Sequence, residues 1–185
     1  VKWARKKMPK FGISLVGTST GGSAAILAVS EDEETHKAVR CIVAENAFAS
    51  PEDVMGQTVD AVVFRVLICK ENAMAYTFLY PIMRAVQAVA MLKITWELKR
   101  RYQRVARARE SIGKMQTPML LLHGQGDKIV SCQDSKLLYD LAKGVREGDL
   151  DMWVCKGAEH CQIWDKEPAE FEKRVVGFLE RFTIE

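Results

Sequence analysis

The stretch Phe11–Gly22, FGISLVGTSTGG, constrains this chain more than any other. A short apolar run (Ile13, Leu15, Val16) ends in Gly17-Thr18-Ser19-Thr20-Gly21-Gly22, and an apolar segment of helical character, Ser23–Val29, follows at once. Strand, tight turn and helix in that order put Ser19 at the apex, its hydroxyl proud of the sheet. A side chain at Gly17 or Gly21 is expected to crowd the turn, and glycine tolerates the backbone angles that such a reversal needs. The following helix points its N-terminus at the serine, where its free N–H groups and dipole favour developing negative charge. Two blander readings of the same letters are a Ser/Thr/Gly turn without chemistry and a phosphate-cradling loop. A phosphate loop wants Lys after the last Gly, and this chain has Ser23 there.

With 185 residues, 48% of them hydrophobic, the chain suits one domain with a sizeable core. A formal net charge of +3 gives no reason to expect a nucleic-acid partner. No apolar run approaches membrane-spanning length, and the N-terminal VKWARKKMPK lacks the apolar region of a secretory signal, so the expected location is cytoplasmic. Cys41, Cys69, Cys132, Cys155 and Cys161 are scattered, odd in number and without a CxxC pair, and read as free, buried thiols. The chain opens on Val1, and Lys2–Lys7 reads as the end of a helix begun earlier; the expectation is a C-terminal piece of a longer protein.

Strands are expected at Ile13–Val16, Val39–Ala44, Met119–His123 and Asp151–Cys155, each short and apolar as buried parallel strands are. Helices are expected at Gly22–Ser30, at Ser135–Lys143 closed by Gly144, and at Pro168–Arg181, where Phe171, Val175, Phe178 and Leu179 recur at helical spacing. This alternation predicts an α/β fold, a mostly parallel sheet with helices on both faces. Residues 53–110 break the pattern. Val54–Cys69 is apolar, and Pro81–Arg109 reads as one long helix, apolar to Ile94 and then rich in Lys99, Arg100, Arg101, Arg104, Arg107 and Arg109. An insertion of this size between strands is most simply a helical lid or cap. Its basic run suits an anionic ligand, a membrane surface or RNA; a solvated helix face is the plainer reading, since Glu97 and Glu110 dilute the charge.

A serine hydroxyl needs a base to take its proton, and the base needs an acid to orient it. Of three histidines, His36 lies in the charged run EDEETHK and reads as solvated. His123 ends a strand in LLLHGQGD and reads as a packing or hydrogen-bonding residue, whereas His160, in KGAEHCQIW, lies in a loop after the last strand. Asp127 follows an apolar strand by a glycine-rich turn, at the carboxyl end where catalytic groups of parallel sheets collect. Glu45, just after the second strand, is its rival. Ser14 and Ser23 flank the turn and fall inside the strand and helix. Trp164 either walls the site beside His160 or packs in the core. No His, Asp and Cys cluster has metal-ligand spacing, and no metal or cofactor is expected.

GTSTGG, VAENAFASPEDV, TPMLLLHGQGDKIV and CKGAEHCQIWDKEPAEFEKRVVGFLERF, in that order, resemble the α/β-hydrolase superfamily, and most closely its serine-aminopeptidase-like branch. The resemblance covers nearly the whole chain and is weakest in the insertion. It implies Ser19 as nucleophile, Asp127 as orienting acid, His160 as general base and the Thr20 N–H as an oxyanion-hole donor. It also implies hydrolysis of an ester, thioester or amide in a small-molecule or acylated substrate, and the apolar insertion hints at a lipophilic one. The family's domain has about eight strands, of which four are readable, so the domain is expected to be partial across residues 1–185. The N-terminal strands and the loop bearing a second oxyanion donor are then missing, and the strand before Ser19 is an exposed apolar edge. The alternative to a serine hydrolase is a non-catalytic module of the same fold, or an inactive fragment.

Overall fold

In the computed structural model, residues 1–54, 73–102, 107–142 and 144–183 are described. Four strands, β1 (Ile13–Thr18), β2 (Val39–Glu45), β3 (Met119–Gly124) and β4 (Leu150–Cys155), form one parallel sheet in the order β1-β2-β3-β4. Each contains the strand expected from sequence and runs a residue or two beyond it. Parallel neighbours need crossover connections, and helices supply them. Helices α2 (Thr20–Glu31) and α3 (Glu33–Ala38) lie between β1 and β2, α4 (Ala73–Tyr102) and α5 (Ala108–Ser111), with a 3₁₀ turn at Ile112–Lys114, lie between β2 and β3, and α6 (Cys132–Leu141) lies between β3 and β4; α1 (Lys2–Lys7) precedes β1, and α7 (Ile163–Lys166) and α8 (Pro168–Thr183) follow β4.

Side chains alternate across the strands and build a core on each face. Ile42, Ala44, Met119 and Leu121 pack with Ile26 and Val29 of α2 and Leu138 of α6. Cys41, Val43, Leu120 and Leu122 pack on the opposite side with Val175 and Phe178 of α8. Nearly every residue of β2 and β3 is buried, which explains why these strands read as continuous apolar runs. β1 lies at the sheet edge, hydrogen-bonded among the described residues only to β2, and its Val16 is 59% exposed.

The sequence reading assigned no element to the charged run EDEETHK, which forms α3. Asp32 caps it, accepting from the Thr35 N–H at 3.0 Å and the Thr35 hydroxyl at 2.6 Å, and buries Thr35 in doing so. The long helix starts at Ala73, not Pro81, with the proline inside it; proline favours a first turn but is carried in an interior at the loss of one N–H donor. That helix also stops short of the predicted Arg109. Arg107 and Arg109 lie beyond it and are spent on ion pairs, Arg107 Nε on Glu52 at 3.0 Å and Arg109 Nη1 on Asp53 at 3.1 Å. These pairs, with the Arg109 N–H donating to the Ala49 carbonyl at 3.2 Å, bring residues 49–53 and 107–109 together, so the chain between leaves and returns at one place. The apolar stretch Val54–Cys69 beyond its first residue, and Arg104, lie outside the described residues.

Leu121 sits at the centre of the sheet with no exposure, whereas Val176 of α8 is 42% exposed. Leu121→Ala is expected to cost about 2–5 kcal/mol, because a central strand offers little room for collapse around the void. Val176→Thr is expected to stay within about 0.5 kcal/mol. Urea denaturation of both variants checks the contrast.

Candidate active site

Backbone hydrogen bonds continue past the carboxyl ends of the strands and tie the four following loops together. The Ser19 N–H donates to the Glu45 carbonyl at 2.8 Å, the Asn46 N–H to the Leu122 carbonyl at 2.8 Å, and the Gln125 N–H to the Cys155 carbonyl at 2.8 Å. Ser19 follows β1, Asn46 follows β2, Asp127 follows β3 and His160 follows β4. Parallel strands have brought four residues that are remote in sequence to one end of the sheet.

Ser19 has φ 52° and ψ −119°, a backbone conformation that non-glycine residues rarely adopt, and it caps α2. The turn is so tight that a Cβ on Gly17 would lie 2.5 Å from the carbonyl of Gly21. The expectation for Gly21 fails: a side chain there meets nothing within 4 Å. Gly22 is the second close contact, since its Cβ would approach the Gly17 carbonyl at 3.1 Å and Ala47 at 3.2 Å. The helix rather than the turn makes that demand, because α2 packs directly on β2. Thr20 begins α2, so its N–H belongs to the first turn, whose donors have no acceptor within the helix.

His160 is held between the other two residues. Its Nδ1 lies 2.6 Å from Asp127 Oδ2 and its Nε2 lies 3.0 Å from Ser19 Oγ. An ionised carboxylate only accepts, so Nδ1 carries the proton. In a neutral ring Nε2 is then the accepting nitrogen, and it faces the Ser19 hydroxyl. Gly124 lets the histidine loop come this close: a Cβ there would lie 2.5 Å from the Glu159 carbonyl and 2.6 Å from that of Ala158.

The Asp127 side chain is fully buried. Burial opposes its charge, but hydrogen bonds from His123, His160 and the backbone N–H groups of Val130 and Ile129 outweigh that and hold its carboxyl well below the usual carboxylate range. Oδ1 accepts from Ile129 N–H at 2.8 Å and Val130 N–H at 3.0 Å. Oδ2, the oxygen facing His160, also accepts from the side-chain amide of Asn46. Asn46 is a residue the sequence reading missed. It is buried, with φ 49°, and its only sequence signal is that Asn tolerates left-handed backbone better than most residues.

His123 stands behind this carboxylate. Its Nε2 lies 3.0 Å from the Val130 carbonyl, which fixes a proton there, and 3.5 Å from Asp127 Oδ2, while its Nδ1 lies 2.7 Å from Ser135 Oγ. It hydrogen-bonds at the strand end, as expected. Glu45 does not touch His160 by hydrogen bond; its Oε1 accepts from the Ile163 N–H at 3.4 Å. Burial pushes its carboxyl up, against the pull of that N–H and of His160 and His123.

The remaining candidates are placed elsewhere. Ser14 Oγ pairs with Thr183 Oγ1 at 2.7 Å, and Ser23 Oγ donates to the Phe48 carbonyl at 3.0 Å. Trp164 is half-exposed and meets Phe171 edge-on, so it is not core. Among the described cysteines all four are free, but only Cys41 and Cys155 are buried; Cys132 and Cys161 are partly exposed, and Cys69 lies outside the described residues. No group of three metal-ligating side chains comes together among the described residues.

A parallel sheet with its side-chain network at the carboxyl ends, built around a serine on a strand-to-helix turn, defines the α/β-hydrolase class. Within that class the chain belongs to the family described as serine aminopeptidase, S33, whose model matches residues 1–167. Solved structures agree in fold. A Pyrococcus furiosus esterase is 22% identical, with a TM-score of 0.67 over 98% of this chain and 59% of its own. A Pyrococcus horikoshii acylaminoacyl peptidase is 14% identical, with a TM-score of 0.62 over 98% of this chain and 26% of its own. A serine hydrolase involved in carbazole degradation is 19% identical, with a TM-score of 0.54 over 93% of this chain and 65% of its own. The chain thus spans well under two thirds of the esterase's length. No curated protein sequence matches it.

The depressed Asp127 carboxyl has a consequence for acid stability. A carboxyl whose folded pKa lies below its unfolded value stabilises the protein above the unfolded value and loses that contribution as pH falls toward the folded one. Asp127→Asn is therefore expected to be less stable than the parent at neutral pH, with the gap closing below about pH 4. Urea midpoints between pH 7 and pH 2.5 would check this, and a constant gap would contradict it.

Proposed function

We propose that the protein is a serine hydrolase that cleaves an ester, thioester or amide through an acyl-Ser19 intermediate. The observation that carries this reading is His160 Nε2 at 3.0 Å from Ser19 Oγ, with Nδ1 at 2.6 Å from Asp127 Oδ2. As Ser19 Oγ bonds to the substrate's carbonyl carbon, its proton passes to Nε2 and the carbonyl oxygen takes up the electron pair. The Thr20 N–H, at the positive end of α2, donates to that oxyanion. Collapse breaks the bond to the leaving group, which takes the proton from His160. Water then attacks the acyl-enzyme, giving its proton to the same nitrogen, and Ser19 leaves with it. Asp127 stays ionised throughout; it holds the ring tautomer and faces the imidazolium that forms.

The substrate in this reading is a small molecule or an acylated one. In this reading the insertion at residues 53–110 serves as a helical lid or cap. Family membership and the esterase and peptidase names of similar folds support the hydrolase class; the choice of serine rests on the distances around His160.

A fluorophosphonate probe is expected to label the natural protein once, at Ser19, and Ser19→Ala is expected to abolish labelling. The same substitution should lower kcat toward a p-nitrophenyl ester by about 10⁶-fold, and Asp127→Asn by about 10⁴-fold. Equal labelling of parent and Ser19→Ala proteins would overturn the reading.

A further inference from the structure

Glu45 is a buried carboxylate that the proposed steps leave unused. It ends β2, beside Thr18 of β1 and Leu122 of β3, and is 6% exposed. Strand alternation puts its side chain on the face of Cys41 and Val43, whose core includes Ala158 and Ile163 on either side of His160. Glu45 also meets both halves of the Ser19–His160 pair. Its carbonyl accepts the Ser19 N–H at 2.8 Å, and its Oε1 accepts the Ile163 N–H at 3.4 Å. We propose that Glu45 is a positioning residue that anchors the His160 loop to the end of β2 and gives the imidazolium formed during attack a second facing carboxylate, beside Asp127. This role rests on the serine-hydrolase reading, since that reading puts the positive charge on His160.

Accepting one N–H needs no charge, and a buried charge is costly unless hydrogen bonds meet it. Burial pushes the Glu45 carboxyl up. A carboxyl raised in the folded state weakens the fold as pH climbs from the unfolded value through the folded one. The charge therefore works against stability, and its neighbours show where it acts. The titratable groups around it are His123 on β3, Cys155 at the end of β4, His160 and Cys161 in the loop that follows, and Asp165 on α7. Of these, the histidines are the groups that can carry positive charge, and both favour an ionised Glu45, His160 the more strongly. His160 is also the one that takes up a proton when Ser19 attacks.

Glu45→Gln in the natural protein is the test, since it keeps the shape and an oxygen for the Ile163 N–H while removing the charge. Toward a p-nitrophenyl ester, at a pH where the parent rate no longer rises, kcat should fall about tenfold with KM unchanged, the low end of what a nearby opposite charge contributes. Urea midpoints should move the other way. The variant should gain on the parent as pH rises above about 4.3, and the gain should level off before about pH 7, once the folded carboxyl has ionised. Equal kcat in parent and variant would overturn the proposal and leave the serine-hydrolase reading standing. So would a slower variant that shows no such gain, since Glu45 would then be a structural residue. A gain still growing above about pH 7 would overturn it as well, because the carboxyl would be uncharged where the reaction runs. A parent inert to both the ester and the fluorophosphonate probe would overturn the reading and this role together.

Discussion

The carboxylate of Asp127 accepts hydrogen bonds from its own loop, from Asn46 after β2 and from His160 after β4, while His123 backs it from within β3. Each oxygen has a distinct duty. Oδ1 is spent on two backbone N–H groups and cannot rotate away without orphaning them. Oδ2 is thereby aimed at His160, and His160 at Ser19. A buried negative charge is costly unless its hydrogen bonds are met. The same donors that keep it ionised therefore also fix its direction, and the rest of the site inherits its geometry from that.

Backbone strain gathers around the same point. Among the described residues, the non-glycine positions with positive φ are Ser19, Asn46 and Cys161. One is the serine of the turn, one donates to the carboxylate, and one follows His160. Such conformations cost of order 1–3 kcal/mol each and persist only where the surroundings over-determine them. Here the surroundings are the hydrogen bonds that run from one strand end to the next, and the close approaches at Gly17 and Gly124. The two cores beneath hold the strands in register, so the strained loops rest on a rigid sheet.

The strands were legible because β2 and β3 are buried on both faces and so read as unbroken apolar runs. The order of Ser19, Asp127 and His160 was legible because each follows a readable strand. What hid was whatever depends on contacts between distant loops. Asn46 looks like any polar residue after a strand; its amide meets Asp127 only across 81 positions of sequence. Of the two glycines expected to crowd the turn, Gly17 does and Gly21 does not, because sequence cannot tell a turn's inner face from its outer one; packing of α2 on β2 adds a demand at Gly22. α3 was hidden by its charge, since its stability comes from the Asp32 cap rather than from an apolar stripe. The basic run looked continuous, yet Arg107 and Arg109 turn away from it toward Glu52 and Asp53.

In the proposed mechanism Asp127 holds a proton on Nδ1 of His160 and leaves Nε2 free for Ser19. Proton NMR of the histidine ring N–H groups, with ¹⁵N-labelled imidazole to assign them, tests it most directly. A far-downfield Nδ1–H resonance of His160, protected from exchange with water, is expected in the parent, lost in Asp127→Asn and kept in Ser19→Ala. A His160 ring protonated at Nε2, or an Nδ1–H signal indifferent to Asp127→Asn, would contradict it.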